Sequence, residues 1–209
     1  MRKNLIVLLM DHRHLEKKTV KPKSSTWLEA LKLILSLVIL IWLTELVNSL
    51  LDHRLNVYGI YPRNMDNLVG VILWPFLHGN FNHLMMNSMP LLAMGYFVAL
   101  RGWLIFLEST AIILIIGGLG VWFFGRAAYH VGASGLVFGF FGFLITIAFY
   151  ERSLKTFAIA CLTVFYYGGI IFGVLPTDSF VSWEGHLFGL LAGILAARIL
   201  AVRRENVLT

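Results

Sequence analysis

Three short stretches of this sequence place polar side chains inside otherwise apolar runs. They read "HGNFNHLMMN" at 78–87, "GASG" at 132–135 and "EGHLFG" at 184–189. A serine hydroxyl is a weak nucleophile unless a neighbouring base takes its proton, and histidine can do so near neutral pH. Ser134 and His186 are therefore a candidate nucleophile and general base. The alternative for Ser134 is a helix cap or a hydrogen bond to a neighbouring helix.

Hydrogen-bond donors accompany this pair. His83 and Asn87 are four residues apart, so a helix presents both on one side. The start of a helix also offers unpaired backbone N–H groups and a partial positive charge, which suit a developing oxyanion. The Ser134 amide, His83 and Asn87 are thus candidate oxyanion-hole donors. His78 is expected at the helix start or in the loop before it.

A metal centre is the competing interpretation of the histidines. No carboxylate or thiol accompanies His78, His83 and His186 at their expected depth, so the sequence favours neither a metal nor another cofactor. Cys161 is the only cysteine. It cannot form an intrachain disulfide, and we predict a small core residue.

The chain that must position these residues is too apolar for a water-soluble domain. Of its 209 residues, 58% are hydrophobic and 13% charged, which indicates a membrane protein. A spanning helix needs roughly 20 apolar residues. Six segments approach this length, at about 27–50, 81–100, 103–124, 133–150, 154–175 and 185–201. We predict an all-α membrane protein: one six-helix domain at 27–201, a basic tail at 1–26 and a short tail at 202–209.

Basic residues lie mainly on one side of these spans. Seven lysines and arginines occur in the first 23 residues, and others follow the second, fourth and sixth spans. The positive-inside rule then predicts cytosolic N- and C-termini. The net charge of +6 reflects this topology, and no basic cluster with aromatics suggests nucleic-acid binding. The tail does not resemble a transit peptide, so we expect a bacterial inner membrane.

The candidate site residues are expected at a similar depth in the membrane. In this topology the second, fourth and sixth spans begin at the outer face, and each carries its polar residues there. The helical rise places Asn87, Ser134 and His186 about 6 to 10 Å below the outer edge of the hydrocarbon core. Three separate segments therefore contribute to one layer, and the site would open to the outer face.

Glycines explain how the fourth and sixth spans could approach each other. Small residues at intervals of four let helix backbones meet in lipid. Gly135 and Gly139 recur at this interval in the fourth span, as Gly189 and Gly193 do in the sixth. His186 shares a face with Gly189 and Gly193. Close contact between the two helices is expected to bring His186 to Ser134.

These motifs resemble those of the rhomboid intramembrane serine proteases across roughly residues 27 to 201. "HGNFNHLMMN", "GASGLVFG" and "GHLFGLLAG" occur in the family's order and spacing. The resemblance implies a six-span rhomboid bundle in which Ser134 and His186 form a dyad without a carboxylate. It also implies an oxyanion hole of His83, Asn87 and the Ser134 amide.

The resemblance assigns supporting residues too. His78 would support the first loop, and Phe138 would carry the ring on which the catalytic histidine packs. Gly132 and Gly135 flank Ser134, and Gly189 and Gly193 would let the helix that carries His186 approach it. The Trp-Arg pair that some members have in the first loop is missing, and Trp74 followed by Pro75 is not an equivalent. Arg63 is the alternative brace for that loop.

The implied substrates are other transmembrane proteins, cut through an acyl-enzyme in or near the bilayer. The sequence fixes neither a particular substrate nor an oligomeric state. Two other functions compete. A catalytically silent rhomboid-fold protein would not need Ser134 and His186, and a transporter would be expected to contain an inverted repeat, which is not evident.

Overall fold

The computed structural model describes residues 25–176 and 181–208, with side chains described up to Val202. The helices are α1 (Trp27–Leu50), α2 (Gly70–Leu73), α3 (Phe81–Ala99), α4 (Trp103–Ile112), α5 (Gly118–Phe124), α6 (Ser134–Glu151), α7 (Leu154–Tyr167) and α8 (Trp183–Leu208). Short 3-10 helices lie at Arg54–Tyr58, Met65–Asn67, Trp74–Phe76 and Gly168–Val174, and a π-helical turn at Ile113–Gly117 joins α4 to α5. Residues 1–24 of the predicted basic tail lie outside the described residues. The predicted C-terminal tail continues α8 as far as Leu208.

Five helical stretches within residues 25–176 and 181–208 are long and apolar enough to cross a membrane. They are Trp27–Leu50, Trp103–Phe124, Ser134–Glu151, Leu154–Val174 and Trp183–Val202. The predicted all-α membrane fold is therefore confirmed. α3 is not among the five, because Asn82, His83 and Asn87 make its first two turns polar. The count of six spans stays a prediction.

Side-chain caps begin four of the long helices in the described chain. Thr26, Asn80, Ser153 and Ser182 each accept a hydrogen bond from the backbone N–H three residues further on, at 2.9 to 3.2 Å. Such caps satisfy one of the amides that a helix start leaves unpaired. α6 begins differently, because Ala133 precedes it and no side chain caps it. The first amides of α6 therefore remain available to another acceptor.

The most extensive helix contact in the described chain is between α6 and α8. The paired glycines account for it. A methyl group on Gly189 would lie 2.9 Å from the backbone Cα of Gly135, and one on Gly193 would lie 2.8 Å from that of Gly139. The expected backbone-to-backbone approach is thus present. Both pairs advance by four residues, so α6 and α8 run parallel and begin at the same end.

The segment between α1 and α3 is held by its own set of contacts. Arg63, which has a left-handed backbone φ of 62°, donates from Nη1 to the carbonyl oxygens of Phe123 and Gly125 at 3.1 and 3.0 Å. Ile60 and His130 form an isolated antiparallel bridge. Arg63 therefore braces this segment against the end of α5. It does so in a chain whose first loop lacks the family's Trp-Arg pair.

One expectation about the periphery is wrong. Cys161, predicted to lie in the core, is exposed. It lies on α7, in the spanning stretch Leu154–Val174, of which only 11% is buried. A thiol on this helix faces the surroundings because few neighbouring helices cover it.

Candidate active site

A cavity of about 600 Å³ lies where α3, α6 and α8 begin. Its wall includes His83, Asn87, Ser134, Phe138 and His186. These side chains come from three helices that are far apart in the sequence. The structure therefore brings the predicted nucleophile, base and oxyanion donors to a single cavity.

His186 has a defined orientation. Its ring stacks on Phe138, with the centroids 4.2 Å apart and the planes 7° from parallel. Its Nδ1 lies 2.8 Å from the carbonyl oxygen of Gly173. Because a carbonyl can only accept, Nδ1 must carry the hydrogen. In the neutral ring, Nε2 then keeps its lone pair and can accept a proton.

Ser134 is buried on the first turn of α6, with 8% of its surface exposed. Both Ser134 and His186 belong to the described residues, and no hydrogen bond joins their side chains. Each nevertheless lines the same cavity. Catalytic hydrogen bonds are often long without a substrate and shorten when one binds.

Asn87 carries an unused donor. Its Nδ2 is buried and has no hydrogen-bond partner among the described residues, although Asn87 lines the cavity beside Ser134. Buried polar groups in native proteins are nearly always paired, so such an exception needs an explanation. An anionic oxygen bound in the cavity would supply the missing acceptor.

His83 packs closely on the strained turn before Ser134. Gly132 has a φ of +119°, which a side chain rarely adopts. A methyl group on Gly132 would also lie 2.6 Å from Cε1 and 2.9 Å from Nε2 of His83. Only glycine therefore lets the His83 ring come this close to the start of α6.

His78 lies outside the helices and is fully buried. Burial lowers its pKa to about 3, so the ring is neutral. Its Nε2 accepts a hydrogen bond from the Ala133 amide at 3.3 Å. Its carbonyl oxygen accepts from the side-chain amides of Asn48 and Asn56 at 3.4 and 3.0 Å. His78 thus ties α1 and the following segment to the residue before Ser134.

Trp74 is a site residue that the sequence did not reveal. Its ring is 1% exposed, and the space beside Gly135 and Gly185 is filled by it. Its carbonyl oxygen accepts a hydrogen bond from the Gly132 amide at 2.8 Å. Trp74 therefore wedges between the starts of α6 and α8. In the sequence, Trp74 followed by Pro75 indicates only that the family's Trp-Arg pair is missing.

A group of four polar side chains, which the sequence did not reveal either, joins the starts of α6 and α8. Arg126 and His130 precede α6, and Ser182 and Glu184 lie at the beginning of α8. Glu184 accepts from Arg126, and Ser182 Oγ lies 2.6 Å from His130 Nδ1. Burial lowers the pKa of His130, which keeps its ring neutral. The one signal in the sequence was a charged residue beside each motif, "GRAAYHVGASG" and "SWEGH".

The histidines of the site do not form a metal centre with other described residues. Among residues 25–176 and 181–208, no group of three histidine, cysteine or carboxylate side chains could hold an ion. Instead, His78 and His83 contact each other edge to face, with centroids 5.1 Å apart.

The fold and cavity define a multi-pass integral membrane protein with a cavity among the first turns of its helices, lined in part by polar side chains. A family model described as "Rhomboid domain" matches residues 65–203. The chain belongs to the rhomboid family of intramembrane serine proteases.

The chain is also similar to several individual proteins. The chain is 41% identical over 192 residues to an uncharacterized protein of Mycobacterium tuberculosis, covering 88% of this chain and 80% of that protein. It is 36% identical over 195 residues to an uncharacterized protein of Mycobacterium leprae, covering 87% and 77%. A Bacillus subtilis protein named "Putative rhomboid protease YdcA" is 30% identical over 136 residues, covering 62% of this chain and 66% of that protein.

Proposed function

We propose that this protein is an intramembrane serine endopeptidase that cleaves transmembrane proteins through a Ser134–His186 dyad and an acyl-enzyme. The observation that carries the proposal is the orientation of His186. Its Nδ1 donates to the Gly173 carbonyl oxygen at 2.8 Å, and its ring lines the cavity that also contains Ser134. A neutral imidazole held in this way has its basic nitrogen, Nε2, free for the serine proton.

In the first half-reaction, Ser134 Oγ attacks the carbonyl carbon of the scissile peptide while His186 Nε2 takes the hydroxyl proton. The tetrahedral intermediate collapses as the imidazolium gives this proton to the departing amine nitrogen. The C–N bond breaks, leaving an ester on Ser134 and a free amino terminus. Phe138 stacks on the ring throughout and limits its rotation.

In the second half-reaction, water replaces the amine. His186 takes a proton from water, which attacks the ester carbon, and the C–O bond to Ser134 breaks. The proton then returns to Ser134 Oγ, and the product leaves with a carboxylate. The cavity of about 600 Å³ has room for both water and an unwound substrate segment.

The oxyanion of each intermediate would be held by the Ser134 amide, Asn87 Nδ2 and His83. The amide lies in the uncapped first turn of α6, and Asn87 Nδ2 has no partner among the described residues. Donors that are already in place where charge develops are usually the largest single contribution to catalysis. The side-chain amide of Asn87, which has no partner among the described residues, is such a donor.

The membrane arrangement follows from the charge pattern. With cytosolic termini, α3, α6 and α8 begin toward the outer face, so the site opens there in a bacterial inner membrane. Substrate helices would enter sideways from the bilayer and unwind at small residues. The protein's own residues supply all the groups that this reaction requires, without a cofactor.

Labelling with a fluorophosphonate tests the proposal directly. The probe is expected to phosphonylate Ser134 in detergent-solubilised protein, because Ser134 shares its cavity with the proposed base His186 and with Asn87 Nδ2, which is unpaired in the described chain. Mass spectrometry of the labelled peptide locates the adduct. Ser36→Ala is a matched control, since Ser36 donates to Lys32 on the exposed face of α1 and its loss should leave labelling unchanged. Absence of label on folded protein contradicts the proposal.

Replacing Asn87 with alanine is expected to lower kcat by about 100- to 1,000-fold, the usual cost of one oxyanion donor. Stability should change little, because the Nδ2 that is removed has no partner among the described residues. Reporter cleavage rates in detergent or vesicles measure the effect. Asn82→Ala is the control, since Asn82 is exposed and its amide contacts the Met86 sulfur. A rate equal to that of the unaltered protein removes Asn87 from the site.

A further inference from the structure

The starts of α6 and α8 are joined by four side chains outside the proposed dyad, and we call this group the clasp. It consists of Arg126 and His130 before α6 and Ser182 and Glu184 before His186. Arg126, His130 and Ser182 also line the cavity. The clasp therefore lies on the same side of the molecule as Ser134 and His186.

Ser182 connects the clasp to the backbone of the base. Its hydroxyl accepts a hydrogen bond from the Gly185 amide at 3.1 Å, and its carbonyl oxygen accepts one from the His186 amide at 3.2 Å. The turn that carries His186 is thus built on Ser182. Any shift of Ser182 is transmitted directly to His186.

His130 connects Ser182 to the segment before Ser134. Nε2 of His130 faces the carbonyl oxygen of Arg126 at 3.1 Å, so Nε2 carries the hydrogen. Nδ1 must then accept, and the Ser182 hydroxyl donates to it at 2.6 Å. The backbone of His130 is itself fixed by the bridge to Ile60. His130 therefore offers Ser182 a rigid acceptor four residues before Ser134.

Glu184 and Arg126 close the clasp. Glu184 is 1% exposed and accepts from both the backbone N–H and Nη1 of Arg126, each at 3.2 Å. Arg126 Nη2 donates to the Val181 carbonyl oxygen at 2.7 Å. A buried carboxylate is costly unless it is paired and hydrogen bonded. The pair therefore specifies one alignment of the two segments.

We propose that the clasp is a positioning device that sets the height and rotation of His186 relative to Ser134. This inference rests on the proposed function, since it assumes that the two residues form the dyad. No hydrogen bond joins the dyad side chains, both of which lie in the described part of the chain. Their separation is therefore fixed by other contacts between the two segments: the glycine contacts deeper in the bundle, the stacking of His186 on Phe138 and the clasp at the cavity.

Ser182→Ala is the primary test. It removes the bond to His130 and the cap on Gly185, and we expect kcat for a reporter and the rate of fluorophosphonate labelling to fall on the order of 100-fold, as a misplacement of about 1 Å can cause. KM should stay the same, because Ser182 acts on His186 and not on the substrate. Ser182→Thr keeps the hydroxyl and should restore most of the rate.

Ser109→Ala is the matched control. Ser109 is also buried and donates to a backbone carbonyl oxygen, that of Phe106, but it belongs to α4 and not to the site. A purely structural role for Ser182 would lower stability as Ser109→Ala does, without a selective loss of kcat. Thermal unfolding of each variant in detergent measures this difference.

The outcomes separate the two proposals. Unaltered kcat and labelling in folded Ser182→Ala, with Ser134→Ala inactive, overturn the clasp and leave the dyad in place. Cleavage that survives Ser134→Ala overturns the dyad, and the clasp with it. If Ser182→Ala does not fold, Glu184→Gln decides, since it keeps the shape and loses the charge. Reduced kcat at constant KM supports the clasp, and an unaltered kcat overturns it.

Discussion

Cleavage of a single-span reporter is expected to stop when Ser134 is replaced by alanine, with a loss on the order of 10⁴-fold or more. The substitution removes the only proposed nucleophile, which lines the same cavity as the basic Nε2 of His186. The reporter should carry a tag on each side of the bilayer. Both fragments are then quantified in vesicles that contain the purified protein.

His186→Ala is expected to cost about as much, and the double variant no more than either single one. Residues that act as a unit show this non-additivity, whereas two independent contributions would multiply. The comparison therefore tests the dyad and not merely the importance of each residue.

Stability provides the control for Ser134→Ala. Ser134 Oγ makes no hydrogen bond to any described residue, so removing it should leave the unfolding temperature nearly unchanged. A folded Ser134→Ala protein that still cuts within tenfold of the original rate would contradict the proposed mechanism. A protein that fails to fold would instead show that Ser134 has a structural role that its contacts do not reveal.

Gly193→Ala is expected to have the second largest effect. The added methyl group would lie 2.6 Å from the carbonyl carbon and 2.8 Å from the Cα of Gly139, and it would collide with the carbonyl oxygen. These are backbone atoms, which cannot rotate away, so α6 and α8 must separate. Overpacking typically costs 1–3 kcal/mol, and we expect about 3 kcal/mol here.

Activity should fall with stability in this variant, because the two helices carry Ser134 and His186. A displacement of about 1 Å can cost 100-fold in rate. Fluorophosphonate labelling and unfolding in detergent would be measured on the same samples.

Gly169→Ala is the matched control for Gly193→Ala. It adds the same methyl group within the 3-10 helix Gly168–Val174, at a position where nothing lies within 4 Å. Stability and labelling should match the original protein. Equal behaviour of the two alanine variants would mean that the close approach of α6 and α8 is not required.

The helix packing could be predicted from the sequence because it depends on a local repeat. Gly189 and Gly193 follow His186 by three and seven residues, so helical geometry alone places them on its face. The same reasoning, with the helical rise, placed Asn87 and Ser134 at one depth. Periodicity and length are properties of each segment by itself, and the sequence contains them in full.

The remaining parts of the site depend on pairings between distant segments. Glu184 meets Arg126 across 58 residues, and Trp74 reaches Gly135, yet neither contact leaves a periodic pattern. Glu184 also lies near a predicted span boundary, where one charge is unremarkable. Such contacts emerge only when the loops are placed, which sequence spacing does not determine.

The acceptor for His186 Nδ1 belongs to the main chain, at Gly173. In a triad a carboxylate does this work, and replacing that side chain reveals it. Here an alanine scan could not remove the orienting group, since every residue type carries the same carbonyl. At Gly173 the scan would add a methyl group 2.9 Å from Phe138 and 3.0 Å from His186, so any loss of activity would report a steric clash and not the missing acceptor. The orientation of the imidazole thus depends on the polypeptide backbone. Exchange of a backbone amide for an ester, and not replacement of a side chain, would reveal this dependence.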